Sequence, residues 1–403
     1  MVLSAAEGRR QEHRRLRGVL ERRRGQAVDP DTDGTYVARA VELGARAIAD
    51  AAPNPPVGCV LVRDGTTLGE GLHHRRGEPH AEVEALRDAQ RRGASVRGAT
   101  AYVSLEPCDH HGRTPPCTGA LIAAEIARVV VGALDPDPRT AGGGVRRLRD
   151  AGLEVEVRDD PHARALIERF AWTVTHDVPY VTLKLAASLD GYVASRAGTQ
   201  QWLTGAPARE RVRDLRVEHD AVMVGAGTVR VDDPLLTVRP HATRRKPYVR
   251  IVVCERDAPA ADRRVFAPPP DAPPDAYART IVLAPAGARA AFAKLEAVAD
   301  VVYAGAPGDT QLDLAAGMRA LREREITTIL CEGGPTLAGG LLAGGLVQRL
   351  LWFVAPVLLR GEGAVPALAG ADLSRANGWR FDRSERVGDD MLLSADLTTC
   401  SPA

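Results

Sequence analysis

Two short stretches of the sequence place metal-ligating and proton-transferring side chains close together. "EPHAEVEAL", residues 78–86, contains His80 and Glu82, and "LEPCDHHGRTPPC", residues 105–117, contains Cys108 and Cys117. Zinc binds imidazole nitrogen and thiolate sulfur in tetrahedral geometry, and a catalytic zinc site has three protein ligands with the fourth position left for water. His80, Cys108 and Cys117 are therefore predicted to be the three ligands of one zinc ion.

A metal-activated water also needs a group that moves its protons. Glu82 lies at the start of the same predicted helix as His80, so it is predicted to be the catalytic residue that takes a proton from water and gives it to a departing amine. Zinc deaminases combine H-x-E with a later P-C-x-x-C, the glutamate not being a ligand. That order is kept here, but eight residues separate Cys108 from Cys117.

Two other interpretations of these residues stay open at this point. A structural zinc site is closed by a fourth protein ligand, which His110 or His111 would supply. Alternatively, the histidine and the cysteines are unrelated core residues. Glu82 favours catalysis, because a structural zinc site has no use for a carboxylate beside it.

The surrounding segments are predicted to alternate between helix and strand. Apolar spacing over residues 33–51 predicts a helix, an Asp64-Gly65 turn predicts a hairpin, and Gly93 is expected to end a second helix. This alternation continues to about residue 158 and indicates an α/β layer with helices on both faces of a sheet. A closing helix is expected at 161–177.

The length of 403 residues predicts two domains, and a new strand series begins at "VPYVTLKLAASLDGYVA", so the boundary is placed near Val178. The formal net charge of +1 gives no reason to expect a nucleic acid or a membrane as partner. The six cysteines do not resemble a disulfide framework, and no apolar run is long enough for a membrane span. A cytoplasmic location is expected.

The N-terminal residues 1–34 form a basic extension, because residues 8–25 contain eight arginines. The segment lacks the apolar core of a secretory signal. The favoured interpretation is a partly helical or disordered arm. Adventitious RNA binding and an overlong choice of start site are the alternatives.

Six ordered blocks of the sequence resemble the bifunctional riboflavin-biosynthesis deaminase–reductase family. They are "PNPPVGCVLV", "GEPHAEVEAL", "LEPCDHHGRTPPC", "LKLAASLDG", "VGAGTVRVDDPLLTVR" and "CEGGPTLAGGLL". The resemblance runs from about residue 35 to the C-terminus and is weaker around 256–320. It implies a cytidine-deaminase-like α/β/α sandwich at 35–178 and an α/β domain similar to dihydrofolate reductase at 179–403.

The resemblance also implies the reactions. Water replaces a ring amine of a diaminopyrimidinone ribosyl phosphate, giving a uracil, and the ribosyl group is then reduced to ribityl phosphate. One zinc ion per chain and NADPH are the implied cofactors. The implied partner is the small phosphorylated pyrimidine, with no nucleic acid and no membrane, and the chain is expected to form a homo-oligomer through its reductase domain.

For the deaminase half, the resemblance implies five substrate-binding residues: Asn54, His73, His110, Arg113 and Asp135. An asparagine offers a donor and an acceptor to a pyrimidine edge, and the donor fork of Arg113 suits a phosphate. Asn54 also precedes Pro55, so a simple turn is the alternative for it.

Two positions depart from the family pattern. Asp137 replaces an asparagine and lacks its amide donor, so contacts to ribose or phosphate there are in doubt. Asp109 stands where a small serine is common, next to the expected ligand Cys108. Both changes are compatible with activity, but they put the substrate preference in doubt.

In the second half, "CEGGPTLAGG", residues 331–340, places glycines between a strand and a helix. Such a turn exposes backbone N–H groups to a phosphate. The pattern is not G-x-G-x-x-G, so the residues alone leave both a nucleotide site and an ordinary turn open. The resemblance implies cofactor contacts at Ala186, Trp202, Thr228, Asp232, Gly334, Pro335, Thr336, Leu337, Ala338, Gly339 and Gly340.

The resemblance also implies reductase substrate contacts at Gln200, Arg216, Leu236, Arg239 and Glu332. The two arginines are suited to neutralise the sugar phosphate, and Glu332 to accept a hydrogen bond from a ribose hydroxyl. Lys184 is interpreted either as a proton donor or as half of a strand-end ion pair.

Three rival functions are set against this interpretation. A nucleic-acid base deaminase with a basic arm explains the zinc residues but leaves the last 220 residues or so without a role. A non-catalytic descendant is disfavoured by the intact His80, Glu82, Cys108 and Cys117. A paralogue serving a related secondary metabolite keeps the chemistry, and Asp137 gives it some weight.

Overall fold

The computed structural model describes residues 31–110, 115–198, 202–238, 247–273, 275–374, 376 and 378–397. In the first half, the helices are α1 (Thr32–Ala45), α2 (Ile48–Ala51), α3 (Ala81–Arg91), α4 (Cys117–Ala123), α5 (Gly143–Asp150) and α6 (Pro161–Thr175). The strands are β1 (Gly58–Arg63), β2 (Thr66–Leu72), β3 (Thr100–Leu105), β4 (Arg128–Ala133) and β5 (Glu154–Val157).

These five strands form one sheet in the order β2-β1-β3-β4-β5. Strand β1 is antiparallel to both β2 and β3, whereas β3, β4 and β5 are parallel. Strands β2, β3 and β4 therefore all point their carboxyl ends to the same edge. Helix α1 covers one face of the sheet and α3, α4 and α5 cover the other, which confirms the predicted layer arrangement.

Local sequence signals explain several element boundaries. Asp64 and Gly65 both have positive φ, 52° and 72°, which is the conformation of a tight hairpin turn and one that glycine adopts freely. Asp160 caps α6 by accepting hydrogen bonds from the N–H groups of His162 and Ala163. The helix predicted at 33–51 is interrupted at Arg46-Ala47, so it forms two helices.

The second half begins with β6 (Tyr180–Ser188) after the linker at 176–179. Its further strands are β7 (Tyr192–Ala194), β8 (Ala221–Gly225), β9 (Val249–Val253), β10 (Ile281–Pro285), β11 (Asp300–Ala304), β12 (Thr328–Cys331), β13 (Arg349–Ala355), β14 (Val365–Pro366), β15 (Trp379–Val387) and β16 (Asp390–Leu397). The helices are α7 (Ala206–Val217), α8 (Ala226–Asp232), α9 (Arg289–Phe292), α10 (Leu314–Glu323) and α11 (Pro335–Ala343), with 3₁₀ turns at Arg264–Phe266 and Ala286–Ala288.

Nine of these strands form a mixed sheet in the order β11-β10-β9-β8-β12-β6-β13-β16-β15, and β14 pairs separately with β7. The strands from β11 to β13 are parallel, whereas β16 and β15 close one edge as an antiparallel hairpin. The central strands are buried on both faces, as expected of a parallel sheet covered by helices.

Helix α6 connects the two sheets. It packs against α1 and β4 of the first half. Its residue Arg169 donates to the carbonyl and the carboxylate of Glu218 in the second half. Arg322 of α10 donates to the backbone oxygen of Thr173 in α6, at 3.0 Å. Within the ranges that the structure describes, no helix combines the length and apolar character needed to span a membrane.

Candidate functional site

The three expected zinc ligands meet at the carboxyl edge of the first sheet. His80 Nδ1 lies 3.5 Å from Cys108 Sγ and 3.3 Å from Cys117 Sγ, and the three ligand atoms are all within 4.8 Å of one another. Tetrahedral zinc with bonds of about 2.0 Å to nitrogen and about 2.3 Å to sulfur separates such ligands by roughly 3.5 Å. The donor set and the spacing therefore fit one zinc ion.

Each ligand is positioned by a different element. His80 is the N-cap of α3 in an extended conformation, Cys117 is the first residue of α4, and Cys108 follows the carboxyl end of β3. Hydrogen bonds from Cys117 and His80 lower the pKa of the Cys108 thiol, so this sulfur loses its proton more readily than an ordinary cysteine does. A thiolate is the form that binds metal.

Glu82 lies in the first turn of α3, next to the ligand cluster, and only 3% of its surface is exposed. Burial, together with the negative charge of the Cys108 sulfur, raises the pKa of the Glu82 carboxyl to about 7. A carboxyl group with this pKa can both accept and donate a proton near neutral pH. A purely structural metal site has no use for such a carboxyl group, and the role of Glu82 as proton shuttle stays a prediction.

Asn54 and His73 also reach this site. His73 Nδ1 is 3.1 Å from the carbonyl oxygen of Pro79, which can only accept, so Nδ1 carries the proton. His73 Nε2 then accepts from the Asn54 amide at 3.0 Å. The His73 ring packs edge-on against His80, with ring centroids 4.9 Å apart. His73 thus fixes the orientation of the Asn54 amide beside the metal cluster.

Asp135 follows β4 at the same edge, and both of its carboxylate oxygens are engaged within its own loop. They accept hydrogen bonds from Asp137 N at 2.9 Å and from Thr140 Oγ1 at 2.8 Å. Burial raises the pKa of Asp135. The side chain therefore shapes the loop at residues 135–140, and its contact with substrate stays a prediction.

Glu106 is a site residue that the sequence analysis missed. Its buried carboxylate accepts hydrogen bonds from three backbone N–H groups, those of Asp135 at 3.2 Å, Gly142 at 2.9 Å and Val145 at 3.0 Å. Glu106 therefore joins the Cys108 loop to the Asp135 loop. The available signal was a charged residue at the end of a buried strand, two positions before a metal ligand.

The two departures from the family pattern have local partners. Asp137 accepts hydrogen bonds from Arg139 N, Nε and Nη2, and this interaction holds the pKa of Asp137 below its ordinary value. Asp109 accepts from Thr118 Oγ1 at 2.6 Å and so anchors the start of α4 beside Cys117. Both carboxylates thus accept hydrogen bonds from neighbouring residues of the same chain. His110 is exposed, near Asp137.

The second half contains a buried charged cluster at the carboxyl ends of its central strands. Arg216 of α7 donates to both carboxylate oxygens of Glu332, at 2.5 and 3.0 Å, and to the Thr237 carbonyl oxygen at 2.9 Å. Burial opposes ionisation of Glu332, but the charge of Arg216 holds its pKa below the ordinary value. Burial also lowers the pKa of Lys184, which lies close to Glu332.

Among the expected cofactor residues, Thr228 and Asp232 lie in α8, directly after β8, and residues 334–340 lie at the start of α11, after β12. The Thr228 hydroxyl lies 3.7 Å from where a Cβ on Gly334 would be, so α8 and the start of α11 meet there. Gly334 is the N-cap of α11 and Pro335 its first residue, which leaves backbone N–H groups directed out of the helix end. Trp202 is 72% exposed beneath the Arg209 guanidinium, which is 5.2 Å from the ring centroid.

Not every glycine of this run is positioned to face a ligand. A Cβ on Gly339 would lie 2.2 Å from the Ala369 carbonyl oxygen, so the close packing of α11 requires a glycine there. Ala338 is fully buried in the core, and Gly340 faces Leu314. Three of the expected substrate contacts, Arg113 in the deaminase half and Gln200 and Arg239 in the reductase half, lie outside the described residues, as does His111.

Two known protein families match separate parts of the chain. The family model described as the cytidine and deoxycytidylate deaminase zinc-binding region matches residues 30–133, and the model described as the RibD C-terminal domain matches residues 179–393. The first match contains His80, Glu82, Cys108 and Cys117, and the second contains Arg216 and Glu332.

Curated relatives and experimental structures match over nearly the whole chain. The riboflavin biosynthesis protein RibD of Escherichia coli strain K12 is 41% identical over 378 residues, covering 90% of this chain and 98% of the relative. The RibD structure of Acinetobacter baumannii, form 1, is 34% identical with a TM-score of 0.74, covering 90% of this chain and 98% of that one. The diaminohydroxyphosphoribosylaminopyrimidine deaminase/5-amino-6-(5-phosphoribosylamino)uracil reductase of Thermotoga maritima is 32% identical with a TM-score of 0.77, covering 91% and 98%.

Proposed function

Because the chain belongs to the family of the riboflavin biosynthesis protein RibD, we propose that it catalyses the two successive reactions named for the Thermotoga maritima relative. The chain is a bifunctional deaminase and reductase of riboflavin biosynthesis, and the predicted fold class is confirmed. Residues 35–178 are assigned to the deaminase domain and residues 179–403 to the reductase domain. The observation that carries the proposal is the buried Glu82 carboxyl beside the cluster of His80, Cys108 and Cys117.

In the deaminase half, His80, Cys108 and Cys117 would hold zinc, which when bound supplies a Lewis acid that makes water nucleophilic near neutral pH. Glu82 accepts the proton that this water loses and delivers it to the amine that leaves as ammonia. Glu82 is buried in the first turn of α3, close to the ligand cluster, so one carboxyl group is placed for both transfers. Asn54, held by His73 at 3.0 Å, orients the pyrimidine edge through its remaining amide donor and acceptor.

In the reductase half, NADPH when bound supplies the hydride for C1 of the ribosyl group. Thr228 and the N-terminus of α11 are assigned to hold the dinucleotide, together with Trp202 and Asp232. Glu332, fixed by the fork of Arg216, is assigned to a ribose hydroxyl. Packed beside this pair, Lys184 is assigned to protonate the ring oxygen as the sugar opens, since burial lowers its pKa towards a value suited to proton transfer.

The reductase half also displays exposed apolar side chains that suit a second copy of the chain. Leu189, Leu358 and Phe381 are 67%, 72% and 72% exposed. The Leu189 N–H donates to the carbonyl oxygen of Val357, which is itself 41% exposed, so these two exposed apolar residues are neighbours. Exposed apolar surface of this kind is typical of an interface. We assign the homo-oligomer contact to this domain and the enzyme to the cytoplasm.

The test is incubation of the full-length enzyme with the diaminopyrimidinone ribosyl phosphate, with and without NADPH. Ammonia release without NADPH, and oxidation of NADPH only after ammonia has appeared, are expected. Cytidine in RNA serves as the control substrate and is expected to release no ammonia. Release from RNA without any from the pyrimidine would contradict the proposal and support a nucleic-acid deaminase.

A further inference from the structure

The two cysteine ligands of the deaminase half are far apart in sequence for a pair that shares one metal ion. The deaminase pattern P-C-x-x-C places two residues between its cysteines, so the short segment itself limits the distance between the sulfurs. Here eight residues separate Cys108 from Cys117, yet the two sulfur atoms lie within 4.8 Å of each other. Closing a longer segment costs more conformational entropy. Contacts between the two ends are therefore needed to hold the sulfurs together.

Two hydrogen bonds from the start of α4 end on Cys108. The Cys117 N–H donates to Cys108 Sγ at 3.5 Å, and the Thr118 N–H donates to the Cys108 carbonyl oxygen at 3.2 Å. Both N–H groups belong to the first turn of α4, where the helix itself offers no carbonyl to accept from them. Cys108 supplies these acceptors, so its sulfur and its main chain are both tied to the helix that carries the other cysteine.

A side-chain hydrogen bond joins the residues that follow the two ligands. The Thr118 hydroxyl donates to Asp109 Oδ1 at 2.6 Å. Asp109 directly follows Cys108 and Thr118 directly follows Cys117, so the bond spans the same gap as the two sulfurs. Thr118 is only 1% exposed, and a buried hydroxyl without an acceptor costs free energy. The Asp109 carboxylate therefore fastens Thr118, and with it Cys117, to the Cys108 end.

We propose that Asp109 and Thr118 are a positioning pair for the zinc ligands: their hydrogen bond fixes the spacing of Cys108 and Cys117 and so sets the affinity of the site for zinc. The pair acts through the two cysteines. This inference rests on the proposed function, because it takes His80, Cys108 and Cys117 as the ligands of one zinc ion. It also gives a role to Asp109, one of the two positions at which the chain departs from the family pattern.

The experiment removes the Thr118 hydroxyl and keeps the shape of the side chain. Thr118→Val in the full-length protein is expected to raise the Kd of Zn²⁺ about tenfold, since losing a residue that orients metal ligands typically weakens metal binding by about 10–100-fold. Competition with a chromophoric chelator measures this Kd. Thr35→Val is the matched control, because the Thr35 hydroxyl donates to the Asp31 carbonyl oxygen at the exposed start of α1. Its zinc Kd should equal that of wild type.

A double-mutant cycle with Asp109→Ala tests whether the two side chains act through one bond. Asp109→Ala alone should also raise the zinc Kd about tenfold, and adding Thr118→Val should raise it by less than about twofold further. Asp109→Asn keeps an acceptor oxygen and should bring the Kd back to within about threefold of wild type. Effects of Asp109→Ala and Thr118→Val that multiply in the double variant would overturn the inference.

A merely structural role gives a different result. If the bond only stabilises the fold, Thr118→Val lowers the thermal unfolding midpoint of the metal-free protein but leaves the zinc Kd unchanged at a temperature well below that midpoint. That outcome would assign the pair to folding alone and contradict the proposal. Reduction of a supplied deaminated substrate should keep the wild-type rate in every variant, which shows that the other half is intact.

Folding and the wider proposal are controlled separately. If Thr118→Val does not fold, Asp109→Ala, a change at an exposed residue, is measured in its place, and a wild-type zinc Kd there overturns the inference. If the wild-type protein binds no zinc, the metal assignment of the proposed function fails and the inference fails with it. If wild type binds zinc and Thr118→Val binds it equally well, the inference alone fails.

Discussion

Glu168 of α6 and Arg349, the first residue of β13, form an ion pair of 2.9 Å across the junction of the two halves. Both side chains are largely buried, at 20% and 22% exposure. Arg349 also binds Asp396 at 2.6 Å, and the Tyr180 hydroxyl donates to Glu168. A helix at the end of the deaminase half thus completes a buried polar network of the reductase half.

This relationship predicts that the reductase domain needs α6 for full stability. A fragment of residues 179–403 leaves the Tyr180 hydroxyl and one side of Arg349 without a partner, whereas 161–403 keeps both. A buried hydrogen bond contributes about 1 kcal/mol, so the shorter fragment should unfold several degrees lower. Thermal unfolding followed by circular dichroism measures the difference. Equal unfolding midpoints of the two fragments would show that α6 contributes nothing to the stability of the reductase domain.

The metal assignment predicts one zinc ion per chain, lost in Cys108→Ala. Removing one of three ligands from a site that already has an open position leaves only two protein donors. Metal analysis of the purified proteins makes the measurement. Cys254→Ala, which removes a buried thiol from the other half, should keep its zinc. Full occupancy in Cys108→Ala would contradict the ligand assignment.

The proton-transfer assignment predicts that Glu82→Gln keeps zinc but loses deamination by about 10²–10⁴-fold. Glutamine has nearly the same size and cannot carry the proton from water to amine. Reduction of a supplied deaminated substrate should be unchanged. Glu84→Gln is the matched control on the same helix, since Glu84 pairs with Arg87 at the surface. Ammonia release by metal-loaded Glu82→Gln at the wild-type rate would assign the shuttle elsewhere.

The carboxylate of Asp33 makes the free energy of unfolding depend on pH. Asp33 of α1 accepts from Arg128 at 2.8 Å and from the Tyr102 hydroxyl at 2.6 Å, and the Arg128 interaction lowers the pKa of Asp33 below 3.8. Because the pKa of Asp33 is lower in the folded protein than in the unfolded chain, the ionised carboxylate stabilises the fold at pH values above the unfolded-state pKa of 3.8. This stabilisation is lost as the pH falls through the lower folded-state pKa.

Asp33→Asn should therefore lower the free energy of unfolding at about pH 6 and have a smaller effect at about pH 3. Urea unfolding of wild type and variant at both values gives the comparison. Asp64→Asn is the control, because Asp64 is 94% exposed in a hairpin turn that asparagine also tolerates. If the free energies of unfolding of wild type and Asp33→Asn differ by the same amount at both pH values, Asp33 does not contribute to the pH dependence of stability.

The sequence predicted those features that only a few residue types can form. The zinc ligands were identifiable because few side chains bind zinc and these stand in a known order. The hairpin at Asp64-Gly65 was identifiable because few residues adopt positive φ. The resemblance to a known family supplied the substrate and NADPH, which residue types alone did not give.

Glu106 was not predicted, for a physical reason. Its carboxylate binds main-chain N–H groups of a distant loop, and every residue except proline carries such a group. One of these partners, Val145, lies 39 positions away. The partner positions therefore carry no signal in their side chains. The interruption of the first helix at Arg46-Ala47 was likewise not visible in its apolar spacing.

The strand order of the larger sheet governs how the nascent chain folds. All five strands of the first sheet have been synthesised once Val157 emerges, so that domain can fold while the ribosome is still working. Strand β6 follows at once, but its neighbours are β12 and β13, with Tyr180 beside Thr328 and Thr182 beside Arg349. Strand β6, at the apolar centre of the reductase domain, therefore has neither of its pairing strands available during most of the remaining synthesis. This interval is when the chain is most exposed to aggregation and most dependent on chaperones.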